Sequence, residues 1–154
     1  MPQPDRSVDP ALAALLLDNH HKLVGTRLEP QGLSAEDTAR WLYADAPFGV
    51  LAHDATEDPV FFYANKAAQH AFGYEWAEFT TLPSRLSAGP QDRAERQALL
   101  EGVARDGFVT GYRGLRVAKS GRQFWIEDVT VWNLLDDTGN YVGQAATYGR
   151  FTPA

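Results

Sequence analysis

Few residues in this chain have the type and spacing needed for chemistry. The sequence has four histidines and no cysteine, which excludes disulfides, thiolate zinc sites, iron–sulfur clusters and a cysteine nucleophile. His20 and His21 are adjacent, so on a helix their side chains point about 100° apart and cannot simply share one metal ion. His53 and His70 have no carboxylate beside them at ligand spacing. The pattern favours structural or surface roles for all four histidines over metal binding.

The pattern typical of a nucleophilic enzyme is also missing. Ser84, Ser87 and Ser120 lie in turn-like contexts without a Gly-x-Ser-x-Gly elbow, and the glycines form no phosphate-binding loop. Glu127 and Asp128 are adjacent on a predicted strand, so their carboxylates are expected on opposite faces. We therefore predict a protein without catalytic activity. A small enzyme on a cone-shaped α+β fold is an alternative that needs a buried acid or base the sequence does not show.

Length and charge limit the possible partners. The chain has 154 residues and a formal net charge of −6, which indicates one domain with a sizeable core. A negative balance argues against a nucleic-acid surface, because phosphate binding needs a basic patch. No run reaches the roughly 18 apolar residues of a membrane helix, and the N-terminus lacks a signal-peptide pattern. The prediction is a cytoplasmic protein that binds neither nucleic acid nor membrane.

The N-terminal part is predicted to lie outside the main domain. Residues 1–9 are expected to be a disordered leader, residues 10–33 a helix with a linker, and residues 34–154 the main domain. Asp9 and Pro10 supply an N-cap and a first-turn proline. Five large aliphatic residues share one stripe of the helix, which must pack on the domain or on a partner. The stripe predicts a homodimer through residues 10–28.

The main domain alternates strand and helix signals. Runs of β-branched and aromatic residues bounded by turn residues predict an antiparallel hairpin, then short helices, then a three-stranded meander. The predicted strands are residues 48–53, 60–63, 109–118, 123–135 and 141–148. The expected fold is α+β, with an antiparallel sheet of about five strands and short helices on one face.

The stretch from residue 59 to residue 90 organises the chain. A strand ends at Asn65, which can cap the next helix; that helix stops at Gly73, and an acidic-aromatic turn follows. This order resembles the middle of a PAS sensor domain. Together with PSRLSAGP at 83–90 and ARWLYADAPFGVLAHD at 39–54, it resembles more closely the MEKHLA domain. That PAS-related domain occurs as a small bacterial protein and at the C-terminus of plant homeodomain-leucine-zipper proteins.

The resemblance implies a PAS-like fold with a ligand pocket between sheet and helices. Its ligand would be a small molecule or a non-covalent flavin; a cysteinyl–flavin adduct is excluded by the cysteine count. The helix from Asp92 to Asp106 contains no histidine, which argues against haem. The apolar candidates for the pocket wall are Phe48, Val50, Tyr63, Phe72, Trp76, Leu86, Leu99, Val103 and Ile126. The polar candidates are His70, Arg85, Asn133 and Gln144.

Two of the polar candidates have alternative interpretations. Gln144 is close to the position of the flavin-bonding Gln in flavin-binding PAS domains, but a register slip of one residue would turn it to the outer face. Arg85 either forms hydrogen bonds with the backbone groups of an irregular loop or reaches an anionic ligand. The functional prediction is a sensory or small-ligand-binding module that acts through a dimer or a partner protein. The alternative is an interaction domain with a filled core and no ligand.

Overall fold

An antiparallel sheet of six strands forms the centre of the protein. The computed structural model describes residues 6–154, so residues 1–5 of the predicted leader lie outside the described residues. The strands are β1 (Gly49–Asp54), β2 (Phe61–Ala64), β3 (Phe108–Val117), β4 (Gln123–Leu135), β5 (Tyr141–Tyr148) and β6 (Arg150–Pro153). Their order is β2-β1-β5-β4-β3. Strand β6 also pairs with β4, on the same edge as β5 but nearer the start of β4. The predicted hairpin and meander are confirmed, and β6 is an additional strand.

In the described part of the chain, five α-helices accompany the sheet. They are α1 (Pro10–Val24), α2 (Ala35–Arg40), α3 (Lys66–Phe72), α4 (Trp76–Phe79) and α5 (Arg93–Asp106). A π-helical turn, Trp41–Asp45, extends α2, and 3-10 turns at Ser84–Ser87 and Pro90–Asp92 precede α5. Among residues 6–154, no helix has the length and apolar character needed to cross a bilayer.

Asn65 fixes the corner between β2 and α3. Its side-chain oxygen accepts hydrogen bonds from the backbone N–H of Ala68, at 3.1 Å, and of Val50, at 3.0 Å. Its amide nitrogen donates to the carbonyls of Leu42 and Phe48 at 3.1 and 3.0 Å. The fully buried amide therefore has partners for both of its polar atoms, and it joins the helix start to β1 and to the turn after α2.

The sheet separates two apolar layers. Helices α3, α4 and α5 cover one face, called here the inner face, and α1 and α2 cover the opposite, outer face. Along β1 the side chains alternate, so Leu51 packs in the inner layer while Val50 and Ala52 pack in the outer layer. This alternation decides which residues can reach a cavity beneath α5.

A β-bulge in β4 changes which residues face inward. Phe124 and Ile126 pack in the inner layer before the bulge, and Val129 and Val131 pack there after it. Between them Asp128 has a φ of 54°, and β4 advances by one residue more than β3. The extra residue reverses the alternation. Side chains before and after the bulge that simple alternation would place on opposite faces therefore share one face.

Helix α1 lies on the outer face of its own sheet. Leu12, Leu16 and Leu17 are buried there. The burial of each of these side chains stabilises the fold by roughly 1.5–3 kcal/mol. The indole nitrogen of Trp132 donates to the Leu16 carbonyl at 3.1 Å, and the Asn19 amide donates to the Leu135 carbonyl at 3.0 Å. The stripe that suggested a dimer through residues 10–28 thus packs at least partly within one chain, and the dimer stays a prediction.

Candidate ligand cavity

A small cavity lies between α5 and the inner face of the sheet. Its volume is about 40 Å³, and apolar side chains from β1, β4, β5 and α5 form most of its wall. Its polar lining is His53, Ser87, Arg96, Arg116 and Gln144. It contains no carboxylate. Two wider clefts of about 520 and 600 Å³ lie beside α1. Exposed side chains such as Asp18 line both of them, so their polar groups do not need a ligand as a partner.

A chain of hydrogen bonds crosses the sheet and ends on α5. The Nε2 atom of His53 lies 3.2 Å from Oε1 of Gln144. The Gln144 amide donates to Oδ1 of Asn133 at 3.2 Å and to the Leu100 carbonyl at 3.0 Å. Asn133 in turn donates to the Val103 carbonyl at 3.0 Å. The backbone of α5 is therefore attached to the sheet by side chains beside the cavity.

His53 is neutral in this setting. Because an amide oxygen only accepts, the hydrogen bond to Gln144 places the imidazole proton on Nε2. Burial, and then the positive charge of nearby Arg96, lower the pKa of His53 to about 4. Gln144 and Asp54 act in the opposite direction, but more weakly. His53 is thus a hydrogen-bond donor to Gln144 over the physiological range.

Arg96 is a buried cation without a counter-charge. Its side chain extends from α5 into the cavity wall, and the residue is 7% exposed. Within residues 6–154 it forms no ion pair and no side-chain hydrogen bond. Burial, and then the charge of Arg116, lower the pKa of Arg96 to about 10, so the guanidinium stays charged at neutral pH.

Arg116 approaches the same cavity from β3. It donates to the Leu115 carbonyl at 2.9 Å and to the Tyr112 hydroxyl at 3.3 Å. The Tyr112 hydroxyl donates to the carboxylate of Glu95 at 3.0 Å. Glu95 is exposed, so its charge reaches Arg116 only indirectly. Two guanidinium groups therefore line the cavity without a direct carboxylate partner.

The residues around the cavity do not suit a flavin or a metal. Sites for drug-sized ligands occupy roughly 300–1,000 Å³, whereas this cavity has about 40 Å³. A flavin ring system does not fit without moving α5 and displacing both arginines. Among residues 6–154, no group of three or more His, Asp or Glu side chains could hold a metal ion.

Some of the predicted pocket residues meet at the cavity. Phe72, Leu99, Ile126 and Gln144 line it. Asn133 lies behind Gln144 and bonds to it. Val103 is buried in the inner layer without lining the cavity.

The other predicted pocket residues lie elsewhere. Phe48, Val50, Tyr63 and Trp76 pack in the outer layer. The alternation of β1 and β2 turns Val50 and Tyr63 to the face covered by α1 and α2, whereas Trp76 reaches that layer from α4. The contact between Tyr63 and Trp76 is edge-to-face, with ring centroids 5.6 Å apart.

His70, Arg85 and Leu86 also lie apart from the cavity. His70 is exposed, and Leu86 is half-buried outside the cavity lining. Arg85 forms a bidentate ion pair with Asp58, at 3.1 and 3.3 Å. The counter-ion of Arg85 is thus a carboxylate in the turn between β1 and β2.

The sequence prediction missed Arg96, Arg116, His53 and Ser87. One signal for Arg96 was present: residues 96, 99 and 103 share one face of a helix, so Arg96 interrupts the apolar stripe of Leu99 and Val103. A charged residue on such a stripe indicates either that the buried face ends there or that the charged group is itself buried. His53 similarly follows Leu51 on the same face of β1.

The comparison with protein families decides the membership. A model of the MEKHLA domain matches residues 10–153, nearly the whole chain. The chain belongs to the MEKHLA domain family. This confirms the resemblance seen in the sequence, and it makes the protein a member of a PAS-related group of sensory domains. The comparison with curated proteins gives no match.

Solved structures similar to this MEKHLA domain have the PAS fold. The PAS domain of a Colwellia psychrerythraea protein is 17% identical, with a TM-score of 0.58 over 70% of this chain and 86% of that chain. A light-oxygen-voltage domain studied with a flavin analogue is 22% identical, with a TM-score of 0.57 over 70% and 77%. An RNA-binding light-oxygen-voltage receptor is 24% identical, with a TM-score of 0.63 over 80% of this chain and 34% of the receptor. At these identities the likeness is one of fold.

Proposed function

We propose that this MEKHLA domain is a non-catalytic sensory module whose cavity takes a small ligand and whose output reaches a partner protein through α5. The hydrogen-bond chain from His53 through Gln144 and Asn133 to the α5 carbonyls is the observation that carries the proposal. A ligand that bonds to Gln144 or His53 competes with these hydrogen bonds. Occupancy then favours one position of α5 over another, which is what a sensor needs.

Several contacts support the absence of catalysis. The Ser87 hydroxyl donates to the Ser84 carbonyl at 2.7 Å, so no neighbouring base activates it. His53 bonds to an amide and not to a carboxylate. A nucleophile needs a base within hydrogen-bond reach, and the cavity lining offers no such pair among the described residues.

A filled interaction domain is the second candidate, and the small cavity volume of about 40 Å³ favours it. In that case the partner would meet exposed apolar side chains, of which Phe108, Tyr141 and Phe151 are the largest aromatics. A homodimer through residues 10–28 stays a prediction. The solvent-facing side of α1 carries small and polar residues such as Ala14, Asp18 and Lys22, which gives such a dimer little apolar area.

The test is the content of the cavity. The full chain is purified and denatured, and the released small molecules are identified by mass spectrometry and ion chromatography. Ala146→Leu adds bulk at the cavity wall, and Ala98→Leu adds the same bulk at an exposed position on α5. The expected result is one compound released in stoichiometric amount by the wild type and by Ala98→Leu but not by Ala146→Leu. The absence of any released compound would support the filled-core candidate, whereas equal release by both variants would place the compound outside this cavity and contradict the proposal.

A further inference from the structure

We infer that the ligand of the cavity is a small anion, a carboxylate or planar oxoanion, held between Arg96 and Arg116. This rests on the proposed function, because it names the ligand class of the same cavity. The carrying observation is that two buried arginines, one from α5 and one from β3, line the cavity, and that no Asp or Glu is among the described residues lining it.

The charges at the cavity are unbalanced. Arg96 is 7% exposed and Arg116 is 6% exposed, and neither forms an ion pair with any residue that the structure describes. A charge taken out of water is costly unless an opposite charge accompanies it. Arg116 recovers part of this cost through Tyr112 and Glu95. Arg96 has no hydrogen bond of this kind, and Tyr112 counters the lowering of its pKa only weakly, so an anion in the cavity would supply its missing counter-charge.

The donors around the cavity match an oxoanion. A guanidinium offers a planar fork of N–H groups that fits two oxygens of one carboxylate or nitrate. The lowered pKa of His53 keeps this third polar group neutral, so it adds no further cation. Among the described residues, no Asp or Glu lines the cavity to repel an anion.

The volume limits the size of the anion. A cavity needs a volume of roughly 10–15 Å³ to hold one water molecule, and this cavity has about 40 Å³. Room for about three or four non-hydrogen atoms follows. Formate, nitrate, bicarbonate and acetate are of this size, whereas a nucleotide or a sugar phosphate is not.

The position of the two arginines links binding to the proposed output. Arg96 belongs to α5 and Arg116 to β3. An anion bonded to both draws the helix towards the sheet and removes the repulsion between their charges. The ligand class thus explains how occupancy would act on α5.

The experiment measures the melting temperature of the full chain during titration with formate, acetate and nitrate. Formamide and acetamide are the neutral isosteres, and sodium chloride at equal ionic strength is the salt control. We expect a saturable rise with the anions that the amides do not produce. In Arg96→Met the apparent affinity should fall by at least roughly tenfold, because a charge-assisted contact is lost. Arg105→Met, the same change at an exposed, ion-paired position on α5, should respond as the wild type does.

Further results keep the inference testable. Without added anion, Arg96→Met should melt no lower than the wild type, because it removes an uncompensated buried charge. Arg96→Lys keeps the charge without the fork, so its affinity should lie between those of wild type and Arg96→Met. Equal effects of formate and formamide, or an unchanged response of Arg96→Met, would overturn the anion. Release of a neutral compound by the wild type would also overturn it while supporting the proposed function, whereas no released compound together with no response to any of the three anions would count against the proposed function itself.

Discussion

At the scale of single residues, His53 shows how the cavity sets a protonation state. The imidazole is buried, donates to Gln144 and lies near the charge of Arg96. A proton on the second ring nitrogen would place another cation beside the two arginines. Folding therefore selects the neutral imidazole, and the free energy of unfolding must depend on pH.

The sign of this dependence follows from the lowered pKa of His53. Its pKa is about 4 in the folded protein, against 6.5 for the ordinary side chain. The unfolded chain takes up the proton first, so the contribution is complete above pH 6.5 or so and is lost as the pH falls towards 4. We expect the difference in unfolding free energy between wild type and His53→Gln to shrink by on the order of 3 kcal/mol over this range.

Denaturant unfolding at a series of pH values measures this difference. His20, whose pKa burial also lowers, is present in both proteins, so its effect and that of the carboxylates largely cancel. His70→Gln removes an exposed histidine and should keep the pH dependence of the wild type. The same pH dependence in His53→Gln as in the wild type would contradict a neutral, buried His53.

At the scale of secondary structure, local signals predicted the elements better than their faces. Turn residues and alternation located β1 to β5, and Asn65 caps α3 as its position indicated. The side on which a strand residue lies depends on register and bulges, which local signals do not determine. Val50 was therefore predicted to line the pocket, although the side chain of its neighbour Leu51 lines the cavity. The cavity arginines were missed because long-range packing, and not local pattern, buries them.

The bulge in β4 depends on one unusual backbone conformation. Asp128 has a φ of 54°, which Gly and Asp tolerate and β-branched residues do not. Asp128→Val should lower the free energy of unfolding by about 1–2 kcal/mol. Asp128→Gly should keep the free energy of unfolding or slightly raise it. Gly adopts a positive φ without strain, and the change loses only an exposed ion pair with Arg150. Gln123→Val, at a half-buried position of β4 whose φ is not positive, is the control for introducing a β-branched side chain. Equal stability of Asp128→Val and Asp128→Gly in urea would show that this conformation is not strained.

At the scale of the whole molecule, the sheet is covered on both faces by one chain. Helices α3 to α5 form the inner layer with the cavity, and α1 with α2 forms the outer layer. The hydrogen bond from Trp132 to the Leu16 carbonyl joins α1 to the strand that also carries Asn133. β4 therefore contacts the outer layer and the cavity network at once.

The last prediction concerns whether α1 serves its own chain or a second copy. Leu16 is fully buried against the outer face, so Leu16→Ala should lower the free energy of unfolding by about 2–5 kcal/mol. The matched change Leu33→Ala, at an exposed leucine, should have little effect. If α1 stabilised the protein by binding a second copy, the loss would shrink as the protein concentration is lowered, because the wild type then loses the stabilisation that association provides by mass action. Because α1 packs on its own sheet, we expect the same loss at two widely separated concentrations in denaturant unfolding, with both variants sedimenting as the wild type does. A concentration-dependent loss would favour the dimer through residues 10–28 instead.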